Sequence, residues 1–121
     1  MVFSWERGAG SPDCRFAASA RGRAAAAEPV PDLPSPIDWA QFFGREAPLD
    51  IEVGSGKGLF LASASAACGE HDFVGIEIAG KYARFAAHRL AQEARTNAVM
   101  LHGDARKLME ERLPDQSVTA L

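Results

Sequence analysis

The stretch Asp50-Ile-Glu-Val-Gly-Ser-Gly-Lys-Gly58 decides the fold of this chain of 121 residues. An apolar, β-prone run breaks there into three glycines at alternate positions, and a helix-favouring run, residues 59–67, follows at once. A strand, a tight glycine turn and a helix in succession let the backbone approach a nucleotide-like ligand closely, because glycine has no Cβ to block the turn. Glu52 adds a carboxylate near the end of the strand, which favours a ligand with positive charge or hydroxyl groups over one with phosphates.

The composition divides the chain into an arm and one small domain. Residues 1–36 hold most of the seven prolines and an alanine run, without apolar periodicity, so we predict a disordered arm there. Residues 37–121 are predicted to carry the fold. They hold 9 Lys and Arg against 12 Asp and Glu, a net charge of −3, so this domain is not a strongly basic nucleic-acid binder.

The two cysteines, Cys14 and Cys68, lie far apart and show neither a metal-ligand spacing nor a disulfide framework. We therefore predict no metal site and a cytoplasmic location, where thiols stay reduced. No apolar run approaches the roughly 20 residues that a membrane span needs, so no membrane association is expected. The sequence does not indicate an oligomeric state.

Strand-like and helix-like patterns alternate along the domain. A helical turn at 37–44, with Trp39, Phe42 and Phe43 on one face, is expected to cover the core. The patterns then predict strands at 49–53, 72–78, 98–102 and 117–121, and helices at about 58–67, 80–94 and 105–112. This order predicts an α/β fold, Rossmann-like, with a parallel sheet of about four strands flanked by helices. In the second helix one face is predicted to hold Tyr82, Phe85, Ala86, Arg89 and Leu90.

Each of three successive strands is expected to deliver an acid to the same edge of the sheet. These acids are Glu52, Glu77 and Asp104, and ligands of such sheets bind beyond the carboxyl ends of the strands. Glu77 is suited to accept hydrogen bonds from both hydroxyls of a ribose. Asp104 could accept one from an exocyclic amine such as that of adenine, and Glu52 could accept one from the ammonium of an amino acid. Together they describe a nucleoside joined to an amino acid, which is S-adenosylmethionine.

Other interpretations of these residues stay open. Glu77 is also compatible with a solvated strand end, and Asp104 with a helix cap. Lys57 invites a phosphate-loop interpretation, but the first glycine and the hydroxyl residue of that motif are absent. The alternative functions are a NAD-dependent dehydrogenase, disfavoured by the glycine spacing and Glu52, and a non-catalytic module that binds a nucleoside or a partner chain.

Three segments together resemble the bacterial tRNA (guanine-N7)-methyltransferases, a class I S-adenosylmethionine-dependent family. They are Glu52-Val-Gly-Ser-Gly-Lys-Gly58, Phe73-Val-Gly-Ile-Glu77 and Gly103-Asp104-Ala105, and the likeness covers about residues 37–121. The entry segment Phe42-Phe43-Gly44-Arg45 is also similar. The resemblance implies tRNA as the substrate and methylation of guanine N7 as the reaction.

The resemblance also implies residue roles. The cofactor would be contacted by Glu52, Gly54, Gly56, Gly58, Glu77, Asp104 and Ala105, and tRNA would lie near Lys81, Tyr82 and Arg84, which are equally compatible with a solvated helix face. In the family an Asp-containing Phe-Pro-Asp-Pro-Trp segment follows strand four and bears on catalysis. The sequence stops at Leu121, before such a segment. The expectation is therefore an N-terminal cofactor-binding half that is inactive alone.

Overall fold

The computed structural model describes residues 2–5, 28–29, 36–112 and 119–120, and the side chains of residues 36–110. The strands are β1 (Val2–Trp5), β2 (Glu28–Pro29), β3 (Leu49–Val53), β4 (Asp72–Glu77), β5 (Ala98–His102) and β6 (Thr119–Ala120). The helices are α1 (Trp39–Phe43), α2 (Leu59–Ala67), α3 (Gly80–Gln92) and α4 (Ala105–Lys107), which continues as one π-helical segment, Leu108–Arg112.

The centre of the sheet is parallel, as predicted. β3, β4 and β5 lie side by side in one direction, with Ile51 opposite Val74 and Val74 opposite Val99. The full strand order is β2-β5-β4-β3-β1-β6, and β1 runs antiparallel to both of its neighbours. The α/β fold is therefore confirmed. Within the predicted fourth strand, the structure describes Thr119–Ala120 as β6, separated from β3 by β1.

The predicted disordered arm, residues 1–36, stays a prediction. The structure describes β1 and β2 within it as short strands of the sheet, and most of its other residues lie outside the described ranges. The interpretation of the cysteines was wrong for Cys68, which is disulfide-bonded to a partner outside the described residues. Spacing along the chain does not report which segments the fold brings together.

The central sheet is covered by apolar side chains on both faces. On one face Trp39 and Phe43 of α1 are buried against Ile51 and Val99, with Phe42 half-buried beside them. The expected role of α1 as a cover of the core is therefore confirmed. The other face packs against α2 and α3, whose buried side chains are small or aliphatic.

The predicted face of α3 is confirmed for Ala86 and Leu90 and was wrong for Tyr82 and Phe85. The buried residues of this helix are Ala83, Ala86, Ala87 and Leu90, whereas Tyr82 and Phe85 are 43% and 48% exposed. The reason is the short distance between α3 and the glycine loop. A Cβ on Gly58 would lie 2.7 Å from the Cβ of Ala86, so only a small side chain fits at position 86.

An ion pair closes the opposite end of the sheet from the glycine loop. The carboxylate of Asp72, which is fully buried, accepts hydrogen bonds from Arg45 Nε and Nη2 at 3.0 and 2.7 Å. Arg45 Nη2 also donates to the carbonyls of Gly69 and His71, at 2.9 and 3.1 Å. Arg45 therefore joins the segment before β3 to the turn before β4.

Replacing Arg45 by methionine is expected to lower the free energy of unfolding by about 3 kcal/mol, because a buried carboxylate loses its ion pair. Urea denaturation of the chain measures this. The matched control is Arg95→Met, which removes an ion pair with the more exposed Glu93. It should cost less than about 1 kcal/mol. Equal losses in the two variants would contradict the assigned role of Arg45.

Candidate cofactor-binding site

The glycine loop, residues 54–58, adopts a backbone conformation that favours glycine. Gly54, Gly56 and Gly58 have φ angles of 76°, 56° and 77°, in the left-handed region. The N–H groups of Gly54 and Ser55 donate to the carbonyl of Ile76 at 2.8 and 3.2 Å, which fastens the loop to the end of β4. The sequence prediction of a tight glycine turn between strand and helix is confirmed.

The glycines at the two ends of the loop serve different purposes. A Cβ on Gly54 would meet nothing within 4 Å, so the space beside it is open to a ligand. A Cβ on Gly58 would collide with Ala86 of α3. Gly58 therefore allows two helices to pack closely, and Gly54 leaves room at the end of β3.

Glu77 is hydrogen-bonded to the backbone on both sides. Its Oε1 accepts the N–H of Gly56 at 2.8 Å, and its Oε2 accepts the N–H of Ala79 at 2.9 Å. One carboxylate thus connects the glycine loop, the end of β4 and the start of α3. Each oxygen keeps a further lone pair for a ligand, because an ionised carboxylate has about four acceptor positions.

Asp104 caps α4 and pairs with the next cation. Its Oδ1 accepts the N–H of Arg106 at 2.8 Å, and its Oδ2 accepts Arg106 Nη2 at 3.0 Å. The hydrogen bonds from the side chain and backbone of Arg106 lower the pKa of Asp104, so the carboxylate stays ionised at neutral pH. The Arg106 side chain is 85% exposed, so it is held at Asp104 by these hydrogen bonds and not by packing. The helix-cap interpretation of Asp104 is confirmed.

Glu52 lies under the glycine loop with only 9% of its surface exposed. It is opposite Gly75 in the sheet register, and the space above Gly75 is occupied by the side chains of Ser55 and Leu61. Burial raises the pKa of Glu52, and the Ser55 hydroxyl opposes this effect. Within the part of the chain that the structure describes, Glu52 Oε1 has no hydrogen-bond partner. A buried acceptor without a donor is costly and indicates that a donor belongs there.

An open pocket of about 270 Å³ lies at the carboxyl ends of β3, β4 and β5. Four of the seven sequence-predicted residues line it, namely Gly54, Glu77, Asp104 and Ala105. Glu52, Gly56 and Gly58 do not line it, and they lie in or under the loop at its edge. Sequence reasoning missed the walls Val53, Ile76, Ile78 and Arg106. These residues lie within two positions of a strand-end acid or of Gly54 in the sequence, and this proximity could have predicted them as pocket walls.

Metal-ligand clusters and membrane-spanning helices are both absent from the residues that the structure describes. No group of three or more His, Cys, Asp or Glu side chains there is placed to hold a metal ion. Among the helices in those same ranges, none has the length and apolar character needed to cross a membrane.

The two loop glycines form a matched pair for mutation, because Gly54 and Gly58 share nearly the same φ angle. Gly54→Ala is expected to cost about 1 kcal/mol of stability, from left-handed strain alone. Gly58→Ala carries the same strain and also collides with Ala86, which should cost roughly 1–3 kcal/mol more. Thermal and urea unfolding measure both losses. Equal losses would show that helix packing does not constrain Gly58.

The sequence comparisons agree with this geometry. A tRNA (guanine-N(7)-)-methyltransferase of Rhodopirellula baltica is 56% identical over 77 residues, which are 64% of this chain and 28% of that protein. A protein of the same name from Syntrophotalea carbinolica is 34% identical, over 74% of this chain and 38% of its own length. Another, from Thermotoga maritima, is 36% identical, over 69% of this chain and 26% of its own length. The chain thus spans roughly a third of these relatives. Since the family model described as putative methyltransferase matches residues 46–121, the chain belongs to that methyltransferase family.

Proposed function

We propose that this protein takes part in the methylation of guanine N7 in tRNA, and that the described residues hold the methyl donor, S-adenosylmethionine. One observation carries the proposal. Acids and an open glycine meet in one pocket at the carboxyl ends of three parallel strands, in a chain that belongs to a methyltransferase family. The names of the relatives support guanine N7 of tRNA as the target.

The acceptors around the pocket fit the polar groups of this cofactor. Glu77 keeps one lone pair on each oxygen, which matches two neighbouring ribose hydroxyls. Binding there would leave both backbone hydrogen bonds of Glu77 in place. The loop would then keep its position while the ribose is bound.

The adenine would lie against an apolar wall with one acceptor at its edge. Val53, Ile76 and Ile78 supply the wall, and Ile78 is 70% exposed in the absence of a ligand to cover it. Asp104 would accept from the exocyclic amine after Arg106 moves aside. Ala105 follows Asp104 at the start of α4 and lines the same part of the pocket.

Glu52 would supply the counter-charge for the ammonium of the methionine part. Its Oε1 is buried and lacks a donor, and an ammonium carries three. The charged acid is costly while it stays without this partner, and a cationic ligand offsets that cost.

The bound cofactor supplies an activated methyl group on a sulfonium. Guanine N7 carries its own lone pair, so the reaction needs no strong base before attack. The task of these residues is to hold the donor in a fixed orientation, and alignment of two reactants can supply several kcal/mol of the barrier.

A cytoplasmic location follows from the proposed substrate, because tRNA is modified where it is made and used. The disulfide at Cys68 argues against this location, because thiols stay reduced in the cytoplasm, so the proposal of a cytoplasmic location rests on the substrate alone.

Calorimetry on the chain tests the cofactor. S-adenosylhomocysteine is expected to bind with one site, and NAD is not. Binding of NAD alone would support the dehydrogenase alternative. Binding of neither would contradict the cofactor proposal.

Replacing Glu52 by glutamine should stabilise the fold and weaken cofactor binding. The folded-state pKa of Glu52 is raised, so its ionisation destabilises the fold progressively as pH increases from the ordinary value through the raised one. The variant should therefore melt at a higher temperature than the wild type at pH 7 and at the same temperature near pH 4. Affinity for S-adenosylhomocysteine should fall roughly tenfold or more, because a charged hydrogen bond is lost.

The control is Glu93→Gln, which changes an exposed carboxylate at the end of α3. It should alter neither the melting temperature nor the affinity by a measurable amount. A lower melting temperature for Glu52→Gln at pH 7 would contradict the assignment of Glu52 as an uncompensated buried acid.

A further inference from the structure

On the outer side of α3, cationic side chains lie over exposed aromatic rings. Lys57 Nζ lies 5.9 Å from the centroid of the Tyr82 ring and 5.5 Å from that of Phe85. The Arg89 guanidinium carbon lies 5.4 Å from the Phe85 centroid. We call these four residues the aromatic–cation face. Close to half of each aromatic side chain is exposed, although both are large enough to fill a core position.

The Asp, Glu, Lys and Arg content of α3 is entirely basic. From Gly80 to Gln92 the helix carries Lys81, Arg84 and Arg89 and no acid, in a chain whose net charge is −3. The side chains of Lys81 and Arg84 are exposed. The cations are thus concentrated on one helix and on Lys57 of the glycine loop, which creates a local basic surface on an acidic protein.

We propose that the aromatic–cation face binds an unpaired stretch of RNA, with bases stacked on Tyr82 and Phe85 and phosphates near Lys57 and Arg89. Aromatic rings interleaved with cations are the arrangement by which proteins hold single-stranded nucleic acid, since every base has a face that stacks. The inference rests on the proposed function, which makes the substrate an RNA. The resemblance implied tRNA near the start of this helix, at Tyr82 among others; the inference adds Lys57, Phe85 and Arg89 and states how the RNA is held.

The face adjoins the pocket through the glycine loop. Lys57 lies three residues after Gly54, which lines the pocket, and one after Gly56, which Glu77 holds. The helix itself starts three residues after Glu77. RNA bound on this face would therefore lie next to the glycine loop, whose Gly54 lines the proposed cofactor site.

Charge complementarity favours RNA over a protein partner. RNA offers phosphates and stacking bases in alternation along a single strand. The proposal therefore commits to RNA, and a protein partner becomes an outcome of the test.

Fluorescence anisotropy with a labelled single-stranded RNA of about 12 nucleotides tests the face. Phe85→Ala and Tyr82→Ala should each weaken binding by at least fivefold, the lower end for loss of one base stack. The matched control is Phe60→Ala, since Phe60 is 52% exposed and, among the described residues, no cation lies over its ring. This control should leave the affinity unchanged. A duplex of the same length should bind more weakly than the single strand.

Salt dependence separates stacking from phosphate contacts. Lys57→Gln and Arg89→Gln should each flatten the slope of log affinity against log salt by about 0.7, the value for one phosphate on a single strand. Phe85→Ala should lower affinity without changing the slope. Lys107→Gln, an exposed cation outside the face, should do neither.

Three results would overturn the inference. They are no RNA binding by the chain, equal losses for Phe60→Ala and Phe85→Ala, and equal binding of single strand and duplex. Self-association that Phe85→Ala abolishes, without any effect on RNA affinity, would assign the face to a protein contact. Binding of S-adenosylhomocysteine is measured on the same samples. Its absence refutes the proposed function, whereas its presence with any of the three results refutes this inference alone.

Discussion

The double hydrogen bond of Glu77 to Gly56 and Ala79 is the constraint on which the candidate site depends. It fixes the glycine loop relative to the end of β4 and sets where α3 begins. A carboxylate that is held at both oxygens has little freedom left to lose when a ligand arrives. The proposed ribose acceptor is therefore preorganised by the same bonds that shape the loop.

The strands were predictable because their signal is local. Leu49–Val53 and Ala98–His102 have the bounds that the sequence predicted, and β4 ends one residue earlier than expected. An apolar run between turn residues predicts the position of a strand independently of which strands pair with it. The inner face of α3 was not predictable in this way. Periodicity places Tyr82 and Ala86 on adjacent parts of the helix, and the contact with Gly58 decides which of them faces the sheet.

The same distinction between local and long-range signals applies to the candidate site. The acids at the strand ends were predictable, since parallel strands bring their carboxyl ends to one edge of the sheet. The surroundings of these acids were not predictable, because they depend on the strand register and on contacts between residues that are distant in sequence. Glu52 is buried because Gly75 is its neighbour on β4, and Arg45 meets Asp72 across 27 residues. Gly58 belongs to the same motif as Gly54, yet its constraint comes from Ala86.

Two unfavourable features remain beside the glycine loop, and they have opposite charge. β3 holds the carboxylate of Glu52, buried with an acceptor that lacks a donor, and α3 presents exposed aromatic rings among cations. A chain that only had to fold would gain stability by changing either one. Under the proposed function both would become favourable, with a cationic donor at the first and an anionic RNA at the second. The loop between them would then separate two ligands of opposite charge by a few residues of backbone, which suits a methyl transfer from one to the other.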